Sequence, residues 1–183
     1  MNNILEMIKN EKVEWKKLGE VFYTRTGYTP SKRKREYWEK GTIPWITIDD
    51  IRDKGRVLKD ANVKISNKAV KKNTFKSNSI IMSTIATIGE YALVKMDFVA
   101  NQQFIVFTLK EDYYDKINME YMRHYFSEIS RFCKKNIRIS SVPTVGTDTI
   151  LKIKIPIPSI EIQEKIVKTL DEFTDYVTEL QSE

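Results

Sequence analysis

Residues 79–109, SIIMSTIATIGEYALVKMDFVANQQFIVFTL, decide the fold class. The stretch divides into SIIMSTIATIG and YALVKMDFVA, two β-branched and apolar runs joined near Gly89, and a third run, QFIVFTL. Runs of this length and composition, bounded by turn residues, predict strands. Between the second and third sit three side-chain amides, Asn101, Gln102 and Gln103. An amide in apolar surroundings is costly unless its donors and acceptors are all paired. The same side chain pairs in bidentate fashion with adenine in the DNA major groove. From the residues alone, the three amides either read a nucleic acid or pin backbone.

Working outward, TIPWITIDDI (42–51) predicts a further strand between Gly41 and the Asp49–Asp50 pair. ILKIKIPIPS (150–159) alternates apolar and polar until Pro156 and Pro158, which confine it to a sheet edge or end it. Two segments have helical spacing. In NMEYMRHYFSEISRFCKK (118–135), Met119, Met122, Tyr125, Phe126, Ile129 and Phe132 recur three and four apart and predict an amphipathic helix. The second begins after Pro158, with Ser159 as N-cap and Glu161 and Glu164 at the positive end of the helix dipole. Its apolar residues Ile166, Leu170, Phe173, Val177 and Leu180 alternate four and three apart, the seam of a coiled coil. The expected architecture is α+β. A β-rich domain with short helices spans 1–159, and a C-terminal coiled-coil helix spans 160–183.

The totals narrow the function classes. A chain of 183 residues with 41% hydrophobic content suits one globular domain, or one with an appendage. No apolar run approaches the roughly 18 residues that span a bilayer. The opening MNNILEMIKNEKVEW is too charged for a secretory signal. The single cysteine, Cys133, fits a reducing cytoplasm and predicts a small buried or half-buried thiol. Net charge is +6, but residues 160–183 hold two basic against seven acidic residues, leaving 29 basic against 18 acidic in the body. A basic body of +11 with an acidic tail of −5 suggests a polyanion partner for the one and a separate task for the other.

Catalytic machinery is not expected. No two of the six glycines are spaced as a cofactor loop requires, and no Gly-Lys pair opens a P-loop. His124, the only histidine, lies within the aromatic helix and predicts a packed or capping residue; one His and one Cys make a zinc site improbable. Glu14-Trp15-Lys16 matches the Glu-x-Lys of nucleases, a three-residue pattern that chance supplies easily. The reading is a binder with no catalytic residue and no metal ligand.

Three basic clusters fall at apparent loops. TGYTPSKRKREYW places Lys32, Arg33, Lys34 and Arg35 just past turn residues, with Tyr37 and Trp38 behind them. DDIRDKGRVLK places Arg52, Lys54 and Arg56 around Gly55, and RFCKKNIRISSVPT adds Arg131, Lys134, Lys135 and Arg138 with the small donors Ser140, Ser141 and Thr144. Loop lysines and arginines neutralise phosphates, and arginine also grips guanine edges.

Taken in order, VEWKKLGEV, TGYTPSK, YWEKGTIPWITIDDI, STIATIGEYALV, ANQQF and IPIPSIEIQEKIVKTLDEF resemble one half of a specificity subunit of type I restriction–modification enzymes. The resemblance runs from about Val13 to Glu183. It implies a target recognition domain that reads one half of a split double-stranded DNA target. It further implies a helix that pairs with a second one, fixes the spacing and docks methyltransferase subunits, to which a restriction subunit joins. S-adenosylmethionine, ATP and Mg are then expected on those partners, and no cofactor on this chain. Asn101 and Gln102 match an Asn-Gln pair shared by relatives with different targets, which implies scaffold roles; so does the STIATIG frame with Thr84, Thr87 and Gly89. The DNA-binding candidates are therefore Lys32, Arg33, Lys34, Arg35, Arg52, Lys54, Arg56, Arg138, Ser140 and Ser141. One recognition domain and a helix shorter than its relatives' fit either a half-subunit, expected to form a homodimer through the helix, or an excerpt of a longer chain. Competing classes are a general RNA- or DNA-binding module and a stand-alone DNA-modifying enzyme.

Overall fold

The computed structural model describes residues 4–138 and 141–182. In chain order it begins with α1 (Ile4–Met7), β1 (Glu14–Lys17), α2 (Leu18–Val21) and β2 (Phe22–Thr26). Next come β3 (Ile43–Ile46), α3 (Ile48–Lys54), β4 (Val57–Leu58) and β5 (Val63–Ile65). Then follow β6 (Ser79–Ser83), β7 (Tyr91–Val94), β8 (Val99–Ala100) and β9 (Phe104–Leu109). The chain finishes with α4 (Met119–Lys135), α5 (Thr147–Leu151), β10 (Lys154–Ile157) and α6 (Ile160–Ser182).

The quoted stretch supplies the centre. β6, β7 and β9 stand side by side in a five-stranded sheet of order β2-β9-β6-β7-β4, antiparallel throughout except where β4 runs parallel to β7. Successive side chains of a strand point to opposite faces, and here both faces are covered. Ile80, Met82, Leu93, Ile105 and Phe107 belong to one core, with α4 and the first turns of α6. Ile81, Ala92, Val94, Phe104 and Val106 belong to another, with Ile46, Leu58, Phe75 and Phe98. Burial on both faces is why these strands read as near-continuous apolar runs.

The helix α4 lies over the first face. Its Phe126 ring packs edge-on against Phe107 at 5.2 Å and Phe22 at 6.5 Å, a burial that stabilises the fold by about 1.5–3 kcal/mol. The predicted stripe holds at Met119, Met122, Tyr125, Phe126 and Ile129, but Phe132 turns out to solvent and Cys133 is buried in its place. The Cys133 thiol sits 3.9 Å from Met82 Sδ, and burial pushes it up to about 11, a thiol rather than a reactive thiolate at neutral pH.

Three segments differ from the sequence expectation. TIPWITIDDI is a strand only to Ile46; Thr47 and Asp50 then form a capping box that starts α3, with Thr47 N–H donating to Asp50 Oδ2 at 2.8 Å. SIIMSTIATIG is extended only to Ser83. YALVKMDFVA breaks after Val94, turns at Asp97, whose carboxylate accepts from Ser77 N–H at 2.8 Å, and resumes as β8 in a different sheet. That three-stranded sheet, order β5-β3-β8, carries the small third core of Trp45, Ile65, Ala69 and Val99. Among the described residues β10 pairs only with β1, in a two-stranded sheet, in keeping with Pro156 within it and Pro158 just beyond.

The long helix α6 is rooted in the body. Ser159 caps it, Ile166 is buried in the main core and Leu170 packs half-buried against it, facing α4. Farther along, Phe173, Tyr176 and Leu180 are 50%, 59% and 55% exposed. The predicted seam therefore divides: its first two residues are covered by the chain's own domain, while Phe173 and Leu180 lie open and Val177 is half-buried.

Candidate nucleic-acid interface

The loop bearing Lys32, Arg33, Lys34 and Arg35 is held at both ends. At its start, Gly27 N–H donates to Phe104 C=O and Tyr28 N–H to Ala100 C=O at 2.7 Å. This close approach demands glycine, since a Cβ at residue 27 would lie 2.2 Å from the Asn101 carbonyl oxygen. Tyr28 is anchored through its hydroxyl, which donates to Ala69 C=O and accepts from Lys71 N–H. At the other end, Trp38 packs edge-on to Trp45 at 5.0 Å and donates its indole N–H to Ser31 C=O. Trp45 donates to Tyr28 C=O, closing the loop onto the small sheet.

This frame turns four cations to solvent, and all four are exposed. Lys32 and Arg33 make no ion pair among the described residues, whereas Arg35 pairs with Glu39 at 2.5 Å. Lys34 donates to the Tyr37 hydroxyl at 3.1 Å, a bond that raises its pKa and keeps it charged. Glu36 is turned away toward Lys68 at 3.0 Å, which lowers its pKa.

The other two predicted clusters are placed differently. Arg52 pairs with Asp49, and Lys54 with the buried carboxylate of Asp50 and with Asn62. Arg56 lies over the Tyr91 ring at 4.1 Å, donates to Tyr91 C=O and pairs with Glu90. Arg56 is thus fixed against β7, whereas the ion pairs of Arg52 and Lys54 lie within α3 itself, with Arg52 largely exposed. Arg138 and Ser141 are exposed, and Arg138 and Thr144 exchange backbone hydrogen bonds. Residues 143–145 are tied to the STIATIG frame by Ala86 N–H to Pro143 C=O and Val145 N–H to Thr84 C=O. Ser140 lies outside the described residues.

The three amides separate. Asn101 is buried, and its side chain accepts from Gln103 N–H at 2.9 Å and donates to Gln103 Oε1 at 3.1 Å. Its backbone ties β3 to the start of β9 through Ile46 C=O and Phe104 N–H. Gln102 is exposed and hydrogen-bonds Thr29 Oγ1 at the root of the basic loop. So Asn101 pins backbone, while Gln102 couples the frame to the loop.

A fourth basic run escaped the sequence reading. Residues 66–72 lie beside the basic loop, with Ser66 N–H donating to Tyr37 C=O, Lys68 paired with Glu36 and Lys71 near the Tyr28 ring, and Lys72 follows; Lys76, farther along the same run, pairs with Asp97. Arg25 on the edge strand β2 joins them, its guanidinium 4.0 Å over the Phe75 ring and donating to Asn73 C=O. The signal available in sequence was the clustering VKKNTFK, dispersed among residues that looked like an ordinary polar loop. Among the described residues no group of three or more His, Cys, Asp or Glu is placed to hold a metal ion, and no helix is long and apolar enough to cross a membrane.

The fold has relatives. The structure superposes with a TM-score of 0.71 on an HsdS subunit from Thermoanaerobacter tengcongensis, at 17% identity, covering 93% of this chain and 39% of that one. In sequence, residues 10–183 match the type I restriction modification DNA specificity domain, and the chain belongs to that family. It is 42% identical over 182 residues to the EcoprrI specificity subunit and 35% identical over 186 residues to the EcoR124I/EcoR124II specificity subunit, both from Escherichia coli. These alignments cover 95% and 93% of this chain but 45% and 44% of the relatives. The chain thus spans less than half the length of the proteins it matches.

Proposed function

We propose that this domain reads one half of a split double-stranded DNA target as the non-catalytic specificity component of a type I restriction–modification assembly, directing methyltransferase and restriction subunits to it. The observation that carries the reading is the loop of Lys32–Arg35, exposed to solvent yet fixed by Gly27, Tyr28, Trp38 and Trp45. Cations on a rigid frame keep more of their binding free energy, because little ordering remains to be done on binding. S-adenosylmethionine, ATP and Mg would act on the partner subunits. The exposed part of α6 suits a second helix, either in a homodimer or at the methyltransferase.

Fluorescence anisotropy with duplex DNA and RNA of equal length tests this. Lys32→Gln with Arg33→Gln should weaken duplex binding and reduce the slope of log K against log salt by about two, near 0.9 for each phosphate no longer neutralised. An arginine that reads guanine would instead show its effect at one base position, at about 1–3 kcal/mol. Equal affinity for RNA would favour the general nucleic-acid module, and unchanged DNA binding would remove this loop from the interface.

A further inference from the structure

Beside the basic loop, Arg25, Thr26, Tyr28, Lys71 and Lys72 line a cavity of about 230 Å³. Three of these five residues are cationic, and none is acidic. Arg25 is half-buried and fixed by the Phe75 ring beneath it and by its bond to Asn73 C=O. The Lys71 ammonium lies 5.3 Å from the centre of the Tyr28 ring, and the Tyr28 hydroxyl accepts from Lys71 N–H, holding the backbone in place. Lys72 is exposed and makes no ion pair among the described residues. Converging cations with apolar support and no carboxylate form a seat for an anion.

Resting on the DNA-binding reading, we propose that this cavity seats a phosphodiester of the DNA backbone, held by Arg25, Lys71 and Lys72. It positions the duplex beside the adjoining loop of Lys32–Arg35. The two surfaces meet at Tyr28, which roots the loop through its N–H bond to Ala100 and lines the cavity with its ring. A phosphate held at Tyr28 would therefore set the register of the loop on the duplex. Interactions with the DNA backbone fix register and orientation without carrying sequence information.

The test is a salt titration of the full chain against a panel of duplexes of differing sequence, comparing wild type, Lys32→Gln/Arg33→Gln and Arg25→Gln/Lys72→Gln. The last variant should lower the salt slope by about two and weaken every duplex by a similar factor. Arg25→Lys, which keeps the charge, should restore most of the slope. Lys72→Gln alone should remove about one unit, and because Lys72 is exposed and makes no ion pair among the described residues, its replacement should leave the melting temperature unchanged. A wild-type slope in Arg25→Gln/Lys72→Gln, with the Lys32→Gln/Arg33→Gln slope reduced, overturns the phosphate seat and leaves the DNA reading standing. Weakening confined to some sequences overturns it as well, in favour of base reading. Wild-type protein that binds no duplex at low salt overturns both.

Discussion

Replacing Gln163 with methionine should unroot α6 from the domain at a measurable cost. Gln163 lies in the first turn of α6 and is fully buried. Its side-chain oxygen accepts from Asn118 N–H at 2.8 Å, and its amide nitrogen donates to Lys116 C=O and to Pro158 C=O, each at 2.8 Å. One side chain therefore satisfies the backbone entering α4 and the backbone leaving β10. Methionine keeps nearly the same length and volume, so packing is largely conserved while all three partners go without their bond. An unsatisfied buried backbone group costs about 1–3 kcal/mol, so with partial hydration of the three the expected destabilisation is roughly 3–5 kcal/mol. Urea denaturation with an unchanged m-value would report it as a lower midpoint. Gln163→Glu adds a sign test. Facing two carbonyl oxygens, a carboxylate at this position is raised above its unfolded pKa. The variant should then be most stable below about pH 4.3, the ordinary glutamate value, and lose stability as pH rises through the raised folded value. A destabilisation under about 1 kcal/mol for Gln163→Met would refute the reasoning, since an amide with three buried backbone bonds cannot be that cheap to remove.

Asn101→Ala removes both bonds to Gln103 and should lower stability by about 1–3 kcal/mol while the folded fraction keeps its DNA sequence preference; altered preference in a stable variant would make Asn101 a reader. His124 Nε2 meets Asp171 Oδ1 at 2.8 Å with Arg123 alongside, itself bonded to Glu120 and Asp171. Burial first, and Arg123 second, lower the His124 pKa below its usual 6.5. The contribution of neutral His124 is thus fully present above about pH 6.5 and lost as pH falls through the lowered folded value, a component of the stability–pH curve that His124→Gln should abolish. Phe173→Glu with Leu180→Glu should leave the melting temperature nearly unchanged, because both side chains are exposed in the monomer. If the distal half of α6 pairs two copies, wild type should sediment as a dimer at micromolar concentration and this variant as a monomer.

The division between sequence and tertiary structure follows the range of the interactions. Local signals were legible. The apolar runs of β6, β7 and β9, the spacing in α4, the Ser159 cap and the prolines of β10 each act within a few residues, so the sequence by itself determined a β-rich domain ending in a long helix. The Thr47–Asp50 capping box was equally local, and the strand character of TIPWI concealed it. What depended on distant residues could not be read. Basic residues in a row look alike, but Arg56 is held by Tyr91 and Glu90, thirty-odd positions away, while Arg33 makes no ion pair among the described residues. Arg25 and Lys72 stand 47 positions apart and share a cavity only because residues 66–76 fold back along β2 and the basic loop. The long C-terminal helix is present, but the residues of its predicted seam do not share one environment. The packing of α4 decided that Ile166 and Leu170 belong to this domain, while Phe173 and Leu180 are exposed. A heptad pattern specifies which residues share a face; only the position of neighbouring elements determines what that face meets.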